Sequence, residues 1–115
     1  MKISLYHNRA CSKSRATLAL LRERGIDPEI IDYLATPPDA ATLRRLLKAL
    51  GAKPRELLRV KEDAFRKLRL DREQVTDADI VDAMVRHPVL MERPIVVAGA
   101  RAVIGRPPER VLEIL

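Results

Sequence analysis

Residues 2–34 of the chain read KISLYHNRACSKSRATLALLRERGIDPEIIDYL. The first five residues form a short apolar run typical of a strand. A helix is predicted from Ser14, with leucines on one face and Gly25 at its end. A second run rich in β-formers follows at residues 29–34. Two strands joined by a helix pair in parallel through a right-handed crossover, so this stretch predicts an α/β fold.

The middle of the chain is predicted to be helical. Thr36-Pro37-Pro38-Asp39 provides an N-cap, a proline at the first helical position and an acid at the third, and Gly51 ends the helix that follows. More helix is predicted over residues 53–87. Within that range, the capping sequence Thr76-Asp77-Ala78-Asp79 begins a helix that Pro88 stops.

The last part of the chain returns to strands. Two β-type runs, residues 95–97 and 102–104, are joined through Gly99 and predict an antiparallel hairpin. Pro107-Pro108 then opens a last helix that ends at Leu115. Apart from the central helices, this order resembles that of a thioredoxin-like domain. The helices form an insertion between the N-terminal β-α-β unit and the C-terminal hairpin with its helix.

Composition narrows the classes of partner. The 115 residues, 47% of them hydrophobic, predict one domain over residues 1–115. The net charge is +6, but only Tyr6, Tyr33 and Phe65 are aromatic, so we expect no stacking surface for nucleic acid. The charge could equally attract a small oxyanion or an acidic protein. Because no stretch predicts a membrane span or a signal peptide, we expect no membrane partner and a cytoplasmic location.

Cys11 is the only cysteine, and it lies where the first strand turns into the helix. Unpaired N–H groups at a helix N-terminus favour a thiolate and can lower a cysteine pKa from ~8.5 to roughly 3.5–7.5. His7 and Arg15 flank it in sequence. A free cysteine is more often a small buried hydrophobe. This polar, basic loop is a poor place for a core residue, so we interpret Cys11 as a nucleophile.

A single cysteine limits the chemistry. No intramolecular disulfide can form, so a thiol from outside the chain must resolve any covalent intermediate. Ser14 stands where the second cysteine of a Cys-x-x-Cys motif would be. A lone thiol also argues for a reducing cytoplasm. His7 and His87 are far apart in sequence, so we expect no metal site and no tightly bound cofactor.

Three arginines stand at or near the predicted ends of elements: Arg59, Arg93 and Arg106. A guanidinium offers a planar fork of donors that matches a tetrahedral or carboxylate oxyanion, and its charge does not titrate away. Several such groups around one thiolate would hold an anionic substrate. With 22 lysines and arginines in the chain, however, these three could equally be solvated or paired with acids.

The segment Tyr6 to Arg15, YHNRACSKSR, closely resembles the signature of the glutaredoxin-coupled arsenate reductase family, ArsC, and of its short relatives. Further matches follow in the same order along nearly the whole chain. They are Tyr33-Leu34 with Pro37-Pro38, Arg55-Glu56-Leu57-Leu58-Arg59, His87-Pro88-Val89-Leu90, Glu92-Arg93-Pro94-Ile95-Val96-Val97 and Gly105-Arg106-Pro107.

The resemblance implies a thioredoxin-like fold and a set of roles. Cys11 matches the nucleophile, and Arg59, Arg93 and Arg106 match the oxyanion-binding arginines. His7 matches a residue near the thiol. We assign His7 to catalysis together with Cys11 and the three arginines. Asn8, Ser14 and Arg15 match the same signature and are assigned to substrate binding together with the three arginines. Pro94 matches the structural cis-proline that faces the active-site loop.

The family mechanism implies arsenate as substrate, glutathione as co-substrate and glutaredoxin as partner. The thiolate attacks arsenate, glutathione attacks the resulting adduct, and glutaredoxin reduces the mixed disulfide while arsenite leaves. The sequence departs from the family pattern near the thiol. Arg9 stands where proline is frequent, Ser12-Lys13 replaces a Gly-Thr pair, and Gly105 stands where some members have a second cysteine.

Two other functions remain open from the sequence. A glutathione-dependent thiol oxidoreductase with a different substrate would use the same cysteine. A redox-responsive regulator that binds RNA polymerase, similar to the Spx type, would share the fold but typically uses a Cys-x-x-Cys switch, which Ser14 removes.

Overall fold

The structure, a computed structural model, describes residues 2–115. The chain divides into two compact units. One contains the described residues up to Thr36 together with Arg93–Leu115, and the other contains Pro37–Glu92. The second unit is therefore inserted into the chain of the first. Within the described range, no helix is long and apolar enough to cross a membrane.

The first unit is built on a four-stranded sheet. Its elements are β1 (Ile3–Tyr6), α1 (Ser12–Glu23), β2 (Glu29–Ile31), β3 (Ile95–Ala98) and β4 (Arg101–Ile104). The strand order is β2-β1-β3-β4. β1 pairs in parallel with β2, while β1 with β3 and β3 with β4 are antiparallel. The predicted α/β class, thioredoxin-like with a helical insertion, is confirmed, and so is the hairpin around Gly99.

One face of this sheet is closed by helices. α1 and a final 3₁₀ helix, Pro108–Ile114, contact each other, and the 3₁₀ helix also packs on β4. The core between them consists of Leu5, Leu21, Val96, Ala98, Val103, Val111 and Ile114. Because every second side chain of a strand points to the same face, Val96 and Ala98 of β3 both reach this core.

The second unit is helical. It contains α2 (Ala40–Leu50), α3 (Asp63–Lys67) and α4 (Asp77–Arg86), with 3₁₀ turns at Pro54–Leu57 and Pro88–Leu90. Gly51 ends α2 in the left-handed conformation, at φ 64°. A capping box between Thr76 and Asp79 begins α4, as the sequence predicts. α4 packs against α2 and both 3₁₀ turns.

The predicted start of two helices is wrong. α1 begins at Ser12 rather than Ser14, and Cys11 itself is the N-cap residue, without a side-chain capping bond. α2 is capped by Asp39, whose carboxylate accepts a hydrogen bond from the Thr42 N–H, and not by Thr36. For α2, the hydrogen bond from Thr42 identifies Asp39 as the cap, whereas for α1 no side-chain bond marks the N-cap.

The predicted extents of three other elements also need correction. β2 ends at Ile31 because residues 32–35 form a turn, in which the Asp32 carboxylate accepts hydrogen bonds from the N–H groups of Leu34 and Ala35. Residues 53–87 are not continuous helix, since turns separate the short helical pieces. The last helix is of the 3₁₀ type and starts at Pro108. The prediction of a single domain over residues 1–115 stays a prediction.

Candidate active site

Cys11 ends a tight loop between β1 and α1. The loop is shaped by the Asn8 side chain, which accepts a hydrogen bond from the Ala10 N–H at 3.0 Å, and by the Asn8 carbonyl, which accepts one from the Cys11 N–H at 3.0 Å. The Cys11 carbonyl then accepts the first helical bond, from the Arg15 N–H. Only 7% of Cys11 is exposed, and Cys11 is not one of the residues that form the core between the sheet and α1. The thiol is buried among polar groups.

Ser14 connects this loop to His7. Its hydroxyl oxygen lies 2.6 Å from His7 Nδ1 and accepts a hydrogen bond from the Asn8 N–H at 3.1 Å. Both Ser14 and His7 are buried. Burial lowers the pKa of His7 most, and Arg22, Arg15 and Arg9 lower it further, while the Asp32 carboxylate opposes them. His7 is therefore held in its neutral form at neutral pH.

The pKa of Cys11 is lowered. Burial is the largest single influence and raises it, but several hydrogen bonds together outweigh burial. A hydrogen bond from the Arg93 side chain contributes most to the lowering, followed by the Ser14 N–H, the charge of Arg93 and the Lys13 N–H. These are the free N–H groups of a helix N-terminus and a guanidinium, both of which stabilise negative charge. The geometry thus favours the thiolate.

Arg106 also faces the sulfur. Its Nη2 lies 3.7 Å from Cys11 Sγ, and its Nε donates a 2.8 Å hydrogen bond to the Arg93 carbonyl. One arginine thus orients the other, because the backbone of Arg93 holds the Arg106 guanidinium while both side chains reach the thiol. The peptide bonds Arg93–Pro94 and Arg106–Pro107 are both cis. Only the cis bond before Pro94 was predicted from the sequence.

The other signature residues lie near the same loop. Arg15 is exposed and donates from Nη1 to the Arg9 carbonyl at 2.8 Å, which ties the start of α1 to the loop before it. Asn8 is half-buried and acts through the loop contacts described above. The structure brings together Cys11, His7, Asn8, Ser14, Arg15, Arg93 and Arg106.

Arg59 belongs to the second unit. It follows an antiparallel bridge between Leu58 and Met91, and its side chain pairs with two carboxylates: Nε with Glu62 at 3.1 Å and Nη1 with Glu92 at 2.6 Å. Burial lowers the pKa of Arg59, but these two carboxylates raise it by more. Neither carboxylate partner was predicted from the sequence. The i,i+3 spacing of Glu62 could have suggested one of them.

The sequence of the chain matches a known protein family. A sequence model described as the ArsC family matches residues 6–114. The chain belongs to the ArsC family. It is 56% identical to the uncharacterised protein YfgD of Escherichia coli strain K12, over 99% of this chain and 97% of that protein. It is 44% identical to an arsenate reductase of Neisseria meningitidis serogroup B, over 99% and 98%.

Solved structures of ArsC relatives agree closely with this fold. An arsenate reductase from Vibrio cholerae superposes with a TM-score of 0.98 at 49% identity, covering 100% of this chain and 98% of that one. A putative arsenate reductase from Yersinia pestis gives 0.94 at 49% identity, over 98% and 100%. The two similarities cover nearly the whole chain, so they include the Cys11 loop and the strand that follows Arg93.

Proposed function

We propose that this ArsC-family protein is an arsenate reductase, with Cys11 as its only nucleophile and with glutathione and glutaredoxin as external thiol donors. The observation that carries the proposal is the position of Cys11 at the start of α1, with Sγ 3.7 Å from Arg106 Nη2 and beside the Arg93 side chain, whose hydrogen bond lowers the pKa of the thiol. The names of the relatives from Neisseria meningitidis and Vibrio cholerae support arsenate as the substrate. The unpaired thiol would need a reducing compartment, which supports a cytoplasmic location.

The proposed reaction has three steps. The Cys11 thiolate attacks the arsenic atom, a sulfur–arsenic bond forms, and one oxygen takes up two protons and leaves as water. The thiolate of glutathione then attacks Cys11 Sγ, so a disulfide forms and arsenic leaves as arsenite with the electron pair of the broken bond. Glutaredoxin attacks the glutathione sulfur of that disulfide and releases the Cys11 thiolate. The two electrons that reduce arsenic come from the two thiols.

Each residue near the thiol has a proposed role in these steps. Arg93 and Arg106 would hold the arsenate oxygens, because attack of one anion on another is favourable only where fixed cations stabilise the combined charge. Asn8, Ser14 and Arg15 would shape the substrate pocket. Neutral His7 could accept a proton released at the loop. No tightly bound cofactor is needed.

Arg59 is proposed as a third oxyanion-binding arginine on the basis of the family match alone. Its two carboxylate partners hold the guanidinium in one orientation. A fixed fork of donors costs less entropy to use than a mobile one. Replacing Arg59 in an arsenate reduction assay therefore tests this role.

The test is arsenite production from arsenate by the purified protein with glutathione and glutaredoxin. We expect activity in the native protein, none in Cys11→Ser, and losses of about tenfold or more in Arg59→Ala, Arg93→Ala and Arg106→Ala, since each removes a donor to the transition state. Arg101→Ala is the matched control, because Arg101 is exposed at the start of β4.

Two results would contradict the proposal. Substantial arsenate reduction by Cys11→Ser would show that Cys11 is not the nucleophile. No arsenite from the native protein, together with turnover of a glutathionylated peptide that depends on Cys11, would assign the thiolate to a different thiol-exchange substrate. Retained activity in Arg59→Ala alone would remove only that residue from the site.

A further inference from the structure

Gly105 lies at an unusually close junction of three segments of the first unit. It is buried directly after β4, and its N–H donates a 2.9 Å hydrogen bond to the Pro94 carbonyl. A Cβ atom placed on Gly105 would lie 2.6 Å from Thr17 Oγ1 in α1 and 2.9 Å from Pro94 Cγ. Both distances are shorter than van der Waals contact. With any side chain at residue 105, the side chains of Thr17 and Pro94, or the segments that carry them, would therefore have to shift.

Thr17 faces this junction with an oxygen that has no other role. Thr17 is completely buried, and its Oγ1 has no hydrogen-bond partner among the described residues. An unpaired buried hydroxyl is costly, so its presence calls for an explanation. The oxygen is smaller than the methyl group that valine would place there. The hydroxyl thus lets α1 approach Gly105 more closely than an all-apolar β-branched residue would.

The junction lies directly beside the groups that face the thiol. Arg106 follows Gly105 in the chain, and its guanidinium reaches both the Arg93 carbonyl and Cys11 Sγ. Arg93 precedes Pro94, the other residue that a Cβ at 105 would strike. Thr17 lies in the same helix whose N-terminus carries Cys11. A displacement at the junction would move both arginines away from the start of α1.

We propose that Gly105 and Thr17 are positioning residues that set the distance between Cys11 and the two arginines Arg93 and Arg106. For turnover this inference rests on the proposed function, but the state of the thiol can be measured without any substrate. Neither residue forms a hydrogen bond with the sulfur in the described part of the chain. Their effect is transmitted through the packed contact between α1 and the segments at residues 93–94 and 105–106.

The experiment measures the rate of Cys11 alkylation by iodoacetamide as a function of pH, in the full chain. Gly105→Ala is expected to move the midpoint of the profile upward by about half a pH unit or more, because both guanidinium groups move away from the thiolate. At a pH below both midpoints, alkylation should then be about threefold slower or more. Thr17→Ala combined with Gly105→Ala removes the closest clash and should restore most of the native midpoint.

Gly25→Ala is the matched control. Gly25 has a positive φ of 76°, so alanine there is strained, but no atom lies within 4 Å of the added Cβ. This variant should lose stability without any change in the alkylation midpoint. If Gly105 only stabilised the fold, both glycine variants would lose stability and keep the native alkylation midpoint.

Thr17→Val provides an independent test that does not depend on Gly105→Ala folding. The methyl group takes the position of the unpaired oxygen, and loss of the buried hydroxyl offsets part of the cost of the tighter contact, so we expect the variant to fold. It should also press on Gly105 and raise the midpoint. A native midpoint in Thr17→Val, or in a folded Gly105→Ala, would overturn the proposal. So would a double variant whose midpoint equals that of Gly105→Ala alone.

Discussion

The charge state of Cys11 depends on a balance between two opposing effects. Burial favours the neutral thiol, while the Arg93 side chain and the first N–H groups of α1 favour the thiolate. Hydrogen bonds to a charged group are stronger than those to a neutral one, and they are stronger in a protein interior than in bulk water. A buried cysteine can therefore still be reactive, provided that its neighbours are donors.

Arg93→Ala should raise the pKa of Cys11 toward its ordinary value of about 8.5, because Arg93 contributes both the leading hydrogen bond and a nearby positive charge. Alkylation rates measured between about pH 5 and 9 would give the midpoint. Arg101→Ala keeps the same loss of one charge at an exposed position, so its profile should match the native one. Equal shifts in both variants would mean that net charge, and not the contact, controls the thiol.

His7 predicts a stability change on the acidic side. Its pKa is lowered in the folded protein, so the unfolded chain binds a proton that the folded one does not once the pH falls below about 6.5. Stability should thus fall as the pH drops through this region. His7→Asn removes the titrating group, so urea unfolding at about pH 7.5 and 5.5 should show a smaller loss in the variant than in the native protein. An equal loss would contradict the buried neutral state.

Helix α2 has two candidate N-caps. The sequence pattern favours Thr36, whereas the structure shows Asp39 in that role. The Asp39 carboxylate accepts a 2.8 Å bond from the Thr42 N–H, and this bond lowers the pKa of Asp39. Asp39→Ala should therefore lower the urea midpoint, and Thr36→Ala should leave it unchanged. Because a lowered pKa adds stability only while the carboxylate is charged, the cost of Asp39→Ala should disappear as the pH falls below about 4.

The elements that the sequence predicted well are those with a strong local signal. Two runs of β-forming residues joined through Gly99 were enough for the hairpin, and the pair Thr76 and Asp79 was enough for the start of α4. The start of α1 was missed by two residues because its N-cap, Cys11, makes no side-chain cap and so has no capping signature. Residues 53–87 were predicted as helix because leucines recur there, but turns at residues 59–62 and 68–76 interrupt that pattern.

The site was predictable only in part, for a different reason. The strand-to-helix position of Cys11 is a local property of the sequence, whereas the contact between Cys11 and Arg106 joins residues 95 positions apart. Only the family resemblance connected these two residues. The contact of Gly105 with Thr17 has no sequence signature, because it depends on how closely two segments approach.

At the level of the whole molecule, the thiol lies in a unit that is formed by two separate stretches of the chain. Residues from both ends of the chain form one sheet, and the inserted second unit separates them in sequence. The arrangement joins the strand that leads to Cys11 with the strand that begins after Arg93, since β1 and β3 are neighbours. Long-range strand pairing of this kind makes the geometry of the thiol a property of the folded sheet and not of the loop alone.

The net charge of +6 predicts how the folded protein treats charged reagents. An electropositive surface around Cys11 should raise the local concentration of anions, and salt should screen this effect because the Debye length falls from about 30 Å at 0.01 M to about 8 Å at 0.15 M. The ratio of alkylation rates by iodoacetate, an anion, and iodoacetamide, a neutral reagent, should therefore fall by about twofold or more between these salt concentrations. Because both reagents attack the same thiolate, changes in its pKa cancel in the ratio. A ratio that does not change with salt would show that the cations near Cys11 act only at contact distance, and that the net charge does not attract the anionic substrate.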